Sequence, residues 1–572
     1  MKKDKATSGS PIVLDKAPAR VKRLIVLQQF PVNGKAVKRL AQAAYAWLDA
    51  NKQTVNALNV FPVPDGDTGT NMSLTMKSAM EEIKNLPEDK ADDMLNALAQ
   101  GALMGARGNS GVILSQLWRG FARSVQGKPS LNSKDLAEAF ASARDTAYKG
   151  VVRPVEGTIL TVAKDMAAEA EAAVAEGIDP ITLLVRVLQA AKDSVNRTPE
   201  LLPILKQAGV VDSGGKGLSL LMEGMMRWVE GHQVHTAEAL AQPIAAINLE
   251  GTMDAVEEGQ DYEVVVDFRP SEQLDLMRFY SDLEKIGTSI QVGEGDGMYR
   301  MHIHVPTDKV YEPIDYTRKL GIVTKVAIEN LMDQMTEISA KAGKAPLKFA
   351  AVQAGQIAVV AVAPGSGLAR HFAELGVAAV VEGGQTMNPS TADLLSSFEN
   401  LPTDKVIILP NNKNIILAAK AAADVSAKKV LVVPSRNVPQ GIAAMLRHNP
   451  KGDLDAVARD MEGTLAGVQS GEITTANRDV EIDGVKVKIG QMIGLHNGKL
   501  VVASEDLETV SRELLKQMGA AQAEVMTLYY GEELREEEAK SIADALRQAF
   551  PGKEVDVHSG GQPYYQFIIS VE

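Results

Sequence analysis

Asp65 and Asp67 stand one glycine apart in the stretch NVFPVPDGDTGTNM, residues 59–72. In so tight a turn both carboxylates can converge on one small volume, where they repel each other unless a cation lies between them. Magnesium is the natural candidate, since it is hard, seeks oxygen, and is usually held by one or two carboxylates plus phosphate oxygens. Asn59 would add a neutral oxygen. Gly66 and Gly69 allow backbone angles that other residues resist, and Pro62 and Pro64 stiffen the approach. The run from Thr68 to Met72 then opens a helix, whose free N–H groups suit a phosphate. The plainer alternative is a tight Asp-Gly turn with an aspartate at the helix N-cap.

Three further loops have the same character. GARGNSG (105–111) brings Arg107, Asn109 and Ser110 among three glycines between two predicted helices, a plausible anion cradle. No Gly-Lys-Ser/Thr follows, so it is not a P-loop. PVEGTILTV (154–162) and VVDSGGKGL (210–218) place glycine beside Thr158 or Asp212 at a helix start. Each alone reads as an ordinary cap. Four together, one with paired aspartates, point to a shared rim that grips a magnesium nucleotide. Arg107 is open to two readings, a charge stabiliser for a transferred group or a structural salt bridge. Separately, His302 and His304 form His-x-His on a predicted strand, where alternate residues share a face and both rings can reach one metal. The alternative there is a pair at the surface or the edge of a core.

The elements that must position these residues are legible from their periodicity. Val37, Leu40, Ala41, Ala44, Trp47 and Leu48 recur at helical spacing, and similar segments follow near 70–84, 91–104, 112–125, 134–150, 158–176, 180–195 and 215–230. The region 32–231 therefore reads as an all-helical domain of about eight helices with no strand among them. Residues 232–261 are small, acidic and irregular and read as a linker. Residues 262–345 read as a small α+β domain: a strand at 262–268, a helix at 275–287, and a hairpin over 289–305 turning at Gly-Asp-Gly. Residues 346–572 carry nearly continuous apolar runs at 357–363, 378–384, 405–410 and 429–434, which fit buried parallel strands with crossover helices. A helix, a β-rich stretch (480–504) and more α/β pattern follow. GGQTMNPST (383–391) supplies Gly, Ser and Thr near a strand end, where α/β folds tend to place ligands; the alternative is scaffold and dimer contact.

The 572 residues carry a formal net charge of -13 and no cysteine. The charge argues against a general nucleic-acid partner. The missing cysteine removes disulfides, thiolate nucleophiles and thiolate metal ligands, and suits a cytoplasmic location. No apolar run approaches a membrane span, and no signal peptide with a clear apolar region is visible. Residues 1–31 are basic and turn-rich and read as a flexible tail.

PVPDGDTGTNM with GARGNSG and DSGG resembles the nucleotide-binding L subunit of dihydroxyacetone kinase. The longer NVFPVPDGDTGTNMSLTM is similar to the catalytic A subunit of bacterial fatty acid kinase. That likeness runs from about Asn33 through ALMGARGNSGVILSQL, PVEGTILTVAKD, GVVDSGGKG, HIH, GGQTMNPST, ILPNNKNI, VPQGI and the ending GGQPYYQFIISVE. It implies an eight-helix barrel holding ATP through magnesium, a middle domain, and a C-terminal α/β domain resembling the DegV fold of the fatty-acid-binding B subunits. By the resemblance, Asp65 and Asp67 are magnesium ligands and Asn59 takes a third position that is aspartate in the L subunit, so one charge is missing here. Thr68, Gly69, Thr70 and Asn71 match the phosphate-contacting helix start. Asn109, Ser110 and Gly111 match a second phosphate loop, and Thr158 and Asp212 lie in the loops of other nucleotide contacts. In the resembled family His-x-His belongs to a zinc site completed by a cysteine after the tyrosine of the preceding strand. Here Glu263 follows Tyr262, so a zinc would be held by Glu263, His302 and His304; otherwise the histidines help bind the acyl carboxylate, its phosphate or the partner.

The expected activity is ATP-dependent phosphorylation of a fatty acid carboxylate, presented by a DegV-like carrier protein, to an acyl phosphate for phospholipid synthesis. The chain is expected to be a homodimer. Two alternatives stay open. A glycerone-type kinase would share the helical domain but need neither extra domain, and a non-catalytic nucleotide-binding scaffold would have no reason to keep both aspartates.

Overall fold

The computed structural model describes residues 32–59, 66–151, 153–232, 242–243, 262–272, 274–295, 298–330, 347–385, 387–476, 479–482 and 484–572. The basic tail 1–31, Asp65 and most of the expected linker lie outside the described residues. One compact unit combines the N-terminal helical region with the C-terminal α/β region, and residues 231–346 form the other.

Ten helices are described in the helical region: α1 (Gly34–Ala50), α2 (Lys52–Leu58), α3 (Thr68–Ile83), α4 (Ala91–Met104), α5 (Gly108–Ser124), α6 (Ser133–Gly150), α7 (Ile159–Ala175), α8 (Pro180–Leu201), α9 (Pro203–Ala208) and α10 (Ser213–Val229). The eight longer ones pack in sequence and α10 closes back on α1, so the expected eight helices form the closed ring that the resemblance implies. Starts are capped by Asn33, Asn132 and Asp179, each accepting a backbone N–H of the first turn. Alanine-rich inner faces bring the helices close, and the core holds an apolar pocket of about 100 Å³ lined by Leu40, Leu114, Phe140, Met166, Leu184 and Leu221. The expectation of no strand needs correction. β1 (Val32–Asn33) and β2 (Ser130–Leu131) pair antiparallel and pin the chain's entry into α1. Two residues are too short a run for alternation to show.

In the middle unit the sheet order is β3-β5-β6-β4-β7, with β3 (Gln242–Pro243), β4 (Tyr262–Pro270), β5 (Thr288–Gly295), β6 (Met298–Val305) and β7 (Gly321–Asn330). β4 lies between β6 and β7 and is antiparallel to both. The expected hairpin is β5–β6.

The C-terminal region opens with a four-stranded sheet in the order β11-β10-β8-β9: β8 (Ile357–Ala363), β9 (Ala379–Glu382), β10 (Lys405–Leu409) and β11 (Lys429–Val432). All its pairs are parallel, as the continuous apolar runs require, and every residue of β8 is buried. A six-stranded mixed sheet follows, and Val480–Ile482 pairs antiparallel with Val485–Val487 as a separate two-stranded sheet. Ala106 and Val112 of the helical region share a core with Val360, Leu394 and Ile415 of the C-terminal region. No helix among the described residues is long and apolar enough to cross a membrane.

Candidate nucleotide and metal sites

Asp67 stands at the N-cap of α3, 7% exposed, and makes no side-chain capping bond. Asn56 of α2 does the capping instead. Its Oδ1 accepts the N–H of Gly69 at 2.7 Å and of Thr70 at 3.2 Å, while its Nδ2 donates to Thr70 Oγ1 at 3.0 Å. This corrects the expectation that the amides at the start of α3 are free for a phosphate: those of Gly69 and Thr70 are taken, and the N–H of Asn71 closes the first helical turn on the Asp67 carbonyl. Gly69 is glycine because a Cβ there would lie 2.2 Å from the Lys52 carbonyl oxygen. Gly66 does adopt a positive φ, 40°, which turns the chain into Asp67. Asn59 is half-buried at the C-cap of α2.

The other expected loops meet around this helix start. Thr68 Oγ1 lies 3.2 Å from Ser213 Oγ, joining the N-termini of α3 and α10. Gly108, at φ 57°, lies so near α3 that a Cβ on it would be 2.6 Å from Asn71 Nδ2. A Cβ on Gly214 would be 3.4 Å from Ser110 Oγ, and one on Gly111 would be 2.5 Å from Thr75 Oγ1. Thr158 caps α7, accepting the Leu160 N–H at 3.4 Å. Asp212 caps α10, accepting the Gly215 N–H at 2.7 Å, and also takes a backbone hydrogen bond from Ile159 at the start of α7. The N-termini of α3, α5, α7 and α10 thus form one rim. Each carries a partial positive charge of about half an electron, which suits a polyphosphate. Arg107, at the N-cap of α5, supplies no capping bond.

Burial pushes the Asp212 carboxyl up from 3.8 to about 6, despite the two backbone donors that favour its ionised form. A carboxyl raised on folding prefers to be protonated in the folded state. Its contribution to stability is complete below pH 3.8 and is lost as pH rises through about 6. Asp212→Asn keeps the capping oxygen without the charge. Its melting temperature relative to wild type should therefore climb between pH 4.5 and pH 7.5, by the equivalent of about 2 kcal/mol. Parallel melting-temperature profiles for the two proteins would contradict this.

Two expected site residues turn toward the C-terminal region. Arg107 Nη1 donates to the Asn388 carbonyl at 3.1 Å, and Nη2 pairs with Asp393 at 3.3 Å. Of its two readings, the structural salt bridge is the one formed among the described residues. Asn109 Nδ2 donates to Asn414 Oδ1 at 3.0 Å. The GGQTMNPST loop meets the rim through Asn388, whose Nδ2 donates to Asp67 Oδ2 at 2.5 Å. Its Ser390 instead caps the helix Thr391–Glu399 in a reciprocal capping box with Asp393. Sequence reasoning passed over Asn56, Asn388 and Asn414; the only signal was the density of asparagines in loops at helix and strand ends. The buried Asp67 carboxylate, among hydroxyl and carboxamide groups, offers the oxygen chemistry that suits a hard cation such as magnesium.

In the middle unit, β6 carries His302 and His304, 1% and 3% exposed, with ring centroids 4.9 Å apart. Glu263 of β4 pairs in register with His304, and its Oε1 lies 3.1 Å from His302 Nε2. The His302 ring holds the Glu263 carboxyl below its usual range. One ligand atom from each residue falls within 4.8 Å of the others, and His302 Nδ1 is buried without a hydrogen-bond partner among the described residues. Two imidazoles and a carboxylate at this spacing fit a tetrahedral zinc with one open position.

Comparison with known proteins agrees along the chain. A DAK2 domain matches residues 62–227, the middle-domain family of fatty acid kinase A-type proteins matches 259–338, and the corresponding C-terminal family matches 358–572. Protein YloV of Bacillus subtilis is 39% identical over 550 residues, covering 95% of this chain and 99% of its own. The uncharacterized protein SERP0792 of Staphylococcus epidermidis is 36% identical over the same shares. The solved dihydroxyacetone kinase of C. freundii, in complex with AMP-PNP and Mg2+, aligns at 18% identity and a TM-score of 0.28 over 40% of this chain and 38% of its own, too loose a likeness to bear on the reaction. With three domain families matched in order and relatives similar from end to end, the chain belongs to the FakA-like family, the fatty acid kinase A-type proteins.

Proposed function

We propose that the protein is the catalytic component of a fatty acid kinase, transferring the γ-phosphoryl group of ATP to the carboxylate of a fatty acid held by a separate carrier protein. The observation that supports this most is the meeting of four helix N-termini beside a buried aspartate. Asp65 and Asp67 would hold magnesium, with Asn59 as a neutral neighbour. When bound, the ion offsets phosphate charge as the phosphoryl group moves. The rim formed by Thr68, Asn109, Ser110, Gly111, Thr158 and Asp212 binds and orients the phosphate chain.

An acceptor carboxylate is ionised at neutral pH, so its oxygen attacks the γ-phosphorus with no proton to remove. The bond to the ADP oxygen breaks, leaving acyl phosphate and ADP. Positioning and electrostatics then supply most of the catalysis. The experiment is omission of one component at a time from purified protein, Mg²⁺, ATP, fatty acid and a fatty-acid carrier. ATP turnover is expected only in the complete mixture. Turnover with dihydroxyacetone in place of the fatty acid and carrier would favour a glycerone-type kinase instead.

We infer zinc at Glu263, His302 and His304. Elemental analysis of protein purified without chelator should find about one zinc per chain, and His302→Ala should retain less than about a tenth of it. Wild-type protein free of zinc would contradict the assignment.

A further inference from the structure

Asp67 is tied to a residue 321 positions away. Asn388 is 2% exposed, and its backbone and side chain are both held by the helical region: Arg107 donates to its carbonyl, and its Nδ2 donates to Asp67 Oδ2. The loop that carries it is tight. Gly384 N–H bonds the Met387 carbonyl at 3.0 Å, Pro389 follows, and Ser390 begins the next helix. Yet Asn388 Oδ1 is buried with no partner among the described residues. A residue serving only to join two regions would be expected to pair both polar atoms of its amide, because a buried unpaired carbonyl is costly. An orphan oxygen beside a carboxylate that is itself engaged by the same amide marks a place for a further donor.

We propose that Asn388, carried by the C-terminal α/β region, is a positioning residue of the divalent-cation site in the helical region. Its Nδ2 fixes the Asp67 carboxylate for the cation, and its Oδ1 accepts a hydrogen bond from a water of the hydrated ion. The proposal rests on the reading of Asp67 as a cation ligand. A neutral amide suits this task because it orients the carboxylate without cancelling the charge the cation needs. The C-terminal region thereby completes the cation site rather than serving only as a scaffold or docking module.

The test is Mn²⁺ binding to the full-length protein, followed by electron paramagnetic resonance and by the rise in melting temperature on adding Mn²⁺. Asn388→Ala should weaken Mn²⁺ about tenfold, the scale of one hydrogen bond to a charged group. Asp393→Asn removes the ion pair with Arg107 but keeps an oxygen for the Ser390 capping box, leaves Asp67 untouched, and should stay within about twofold of wild type. Asn388→Asp sets a second carboxylate against Asp67. It should melt lower than wild type without metal and gain more on adding Mn²⁺, because the ion relieves the repulsion. Asp67→Asn checks the underlying reading and should weaken Mn²⁺ by about tenfold or more. Weakening in Asp67→Asn with wild-type affinity in Asn388→Ala would overturn the role of Asn388 alone, whereas wild-type affinity in Asp67→Asn would overturn the cation reading. Equal weakening in Asp393→Asn, or no larger gain with Mn²⁺ in Asn388→Asp, would also overturn the proposal by tracing the effect to docking.

Discussion

Asp67→Ala should lower acyl phosphate formation roughly a thousandfold, the scale of losing a principal electrostatic group at a phosphoryl-transfer centre. The fold should survive. Asp67 makes no side-chain capping bond to α3, whose first amides are satisfied by Asn56, so removing the carboxylate leaves the helix start intact. The loss should appear in turnover and in nucleotide affinity measured with Mg²⁺, with an unchanged circular dichroism spectrum. Substantial turnover in the variant would remove Asp67 from the cation site. A collapsed spectrum would instead make it a folding residue.

Gly69→Ala should show the converse pattern, a stability loss of about 3 kcal/mol or more with nucleotide binding lost as a consequence. A Cβ on Gly69 would stand 2.2 Å from the Lys52 carbonyl oxygen and 2.8 Å from the capping Asn56 Oδ1. Neither can yield cheaply, since one is backbone and the other holds the Gly69 and Thr70 amides. α2 must move away from α3, and the carboxamide that caps the helix beside Asp67 moves with it. Denaturant unfolding and ADP binding with Mg²⁺ check both halves. A variant as stable as wild type would contradict this role for the glycine.

Much of this was legible in the residues. Apolar positions at helical spacing marked the helices of the ring, and the runs IAVVAVA and KVIIL marked buried parallel strands because such strands are apolar on both faces. The four loops at helix starts were visible as clusters of glycine with Asp, Ser or Thr. That they meet is a property of the closed ring, which no local pattern encodes. The cap from Asn56 was hidden because it comes from a neighbouring helix, 13 residues from Gly69. Asn388 was hidden more deeply, in a loop whose Gly, Ser and Thr looked like the chemistry. The middle unit's last strand, β7, was missed for another reason. Its Ile322, Val326 and Ile328 are exposed, so the pattern of a half-buried strand is blurred.

The carboxylate acceptor is the central claim, and trapping the product tests it most directly. Hydroxylamine converts an acyl phosphate to a hydroxamate but leaves a sugar or alcohol phosphate untouched. The complete mixture of protein, Mg²⁺, ATP, fatty acid and carrier should give fatty hydroxamate in equal amount to ADP, and none when the carrier or Asp67 is removed. ADP released without hydroxamate would show that the phosphoryl group goes to water or to another acceptor, and would contradict the claim.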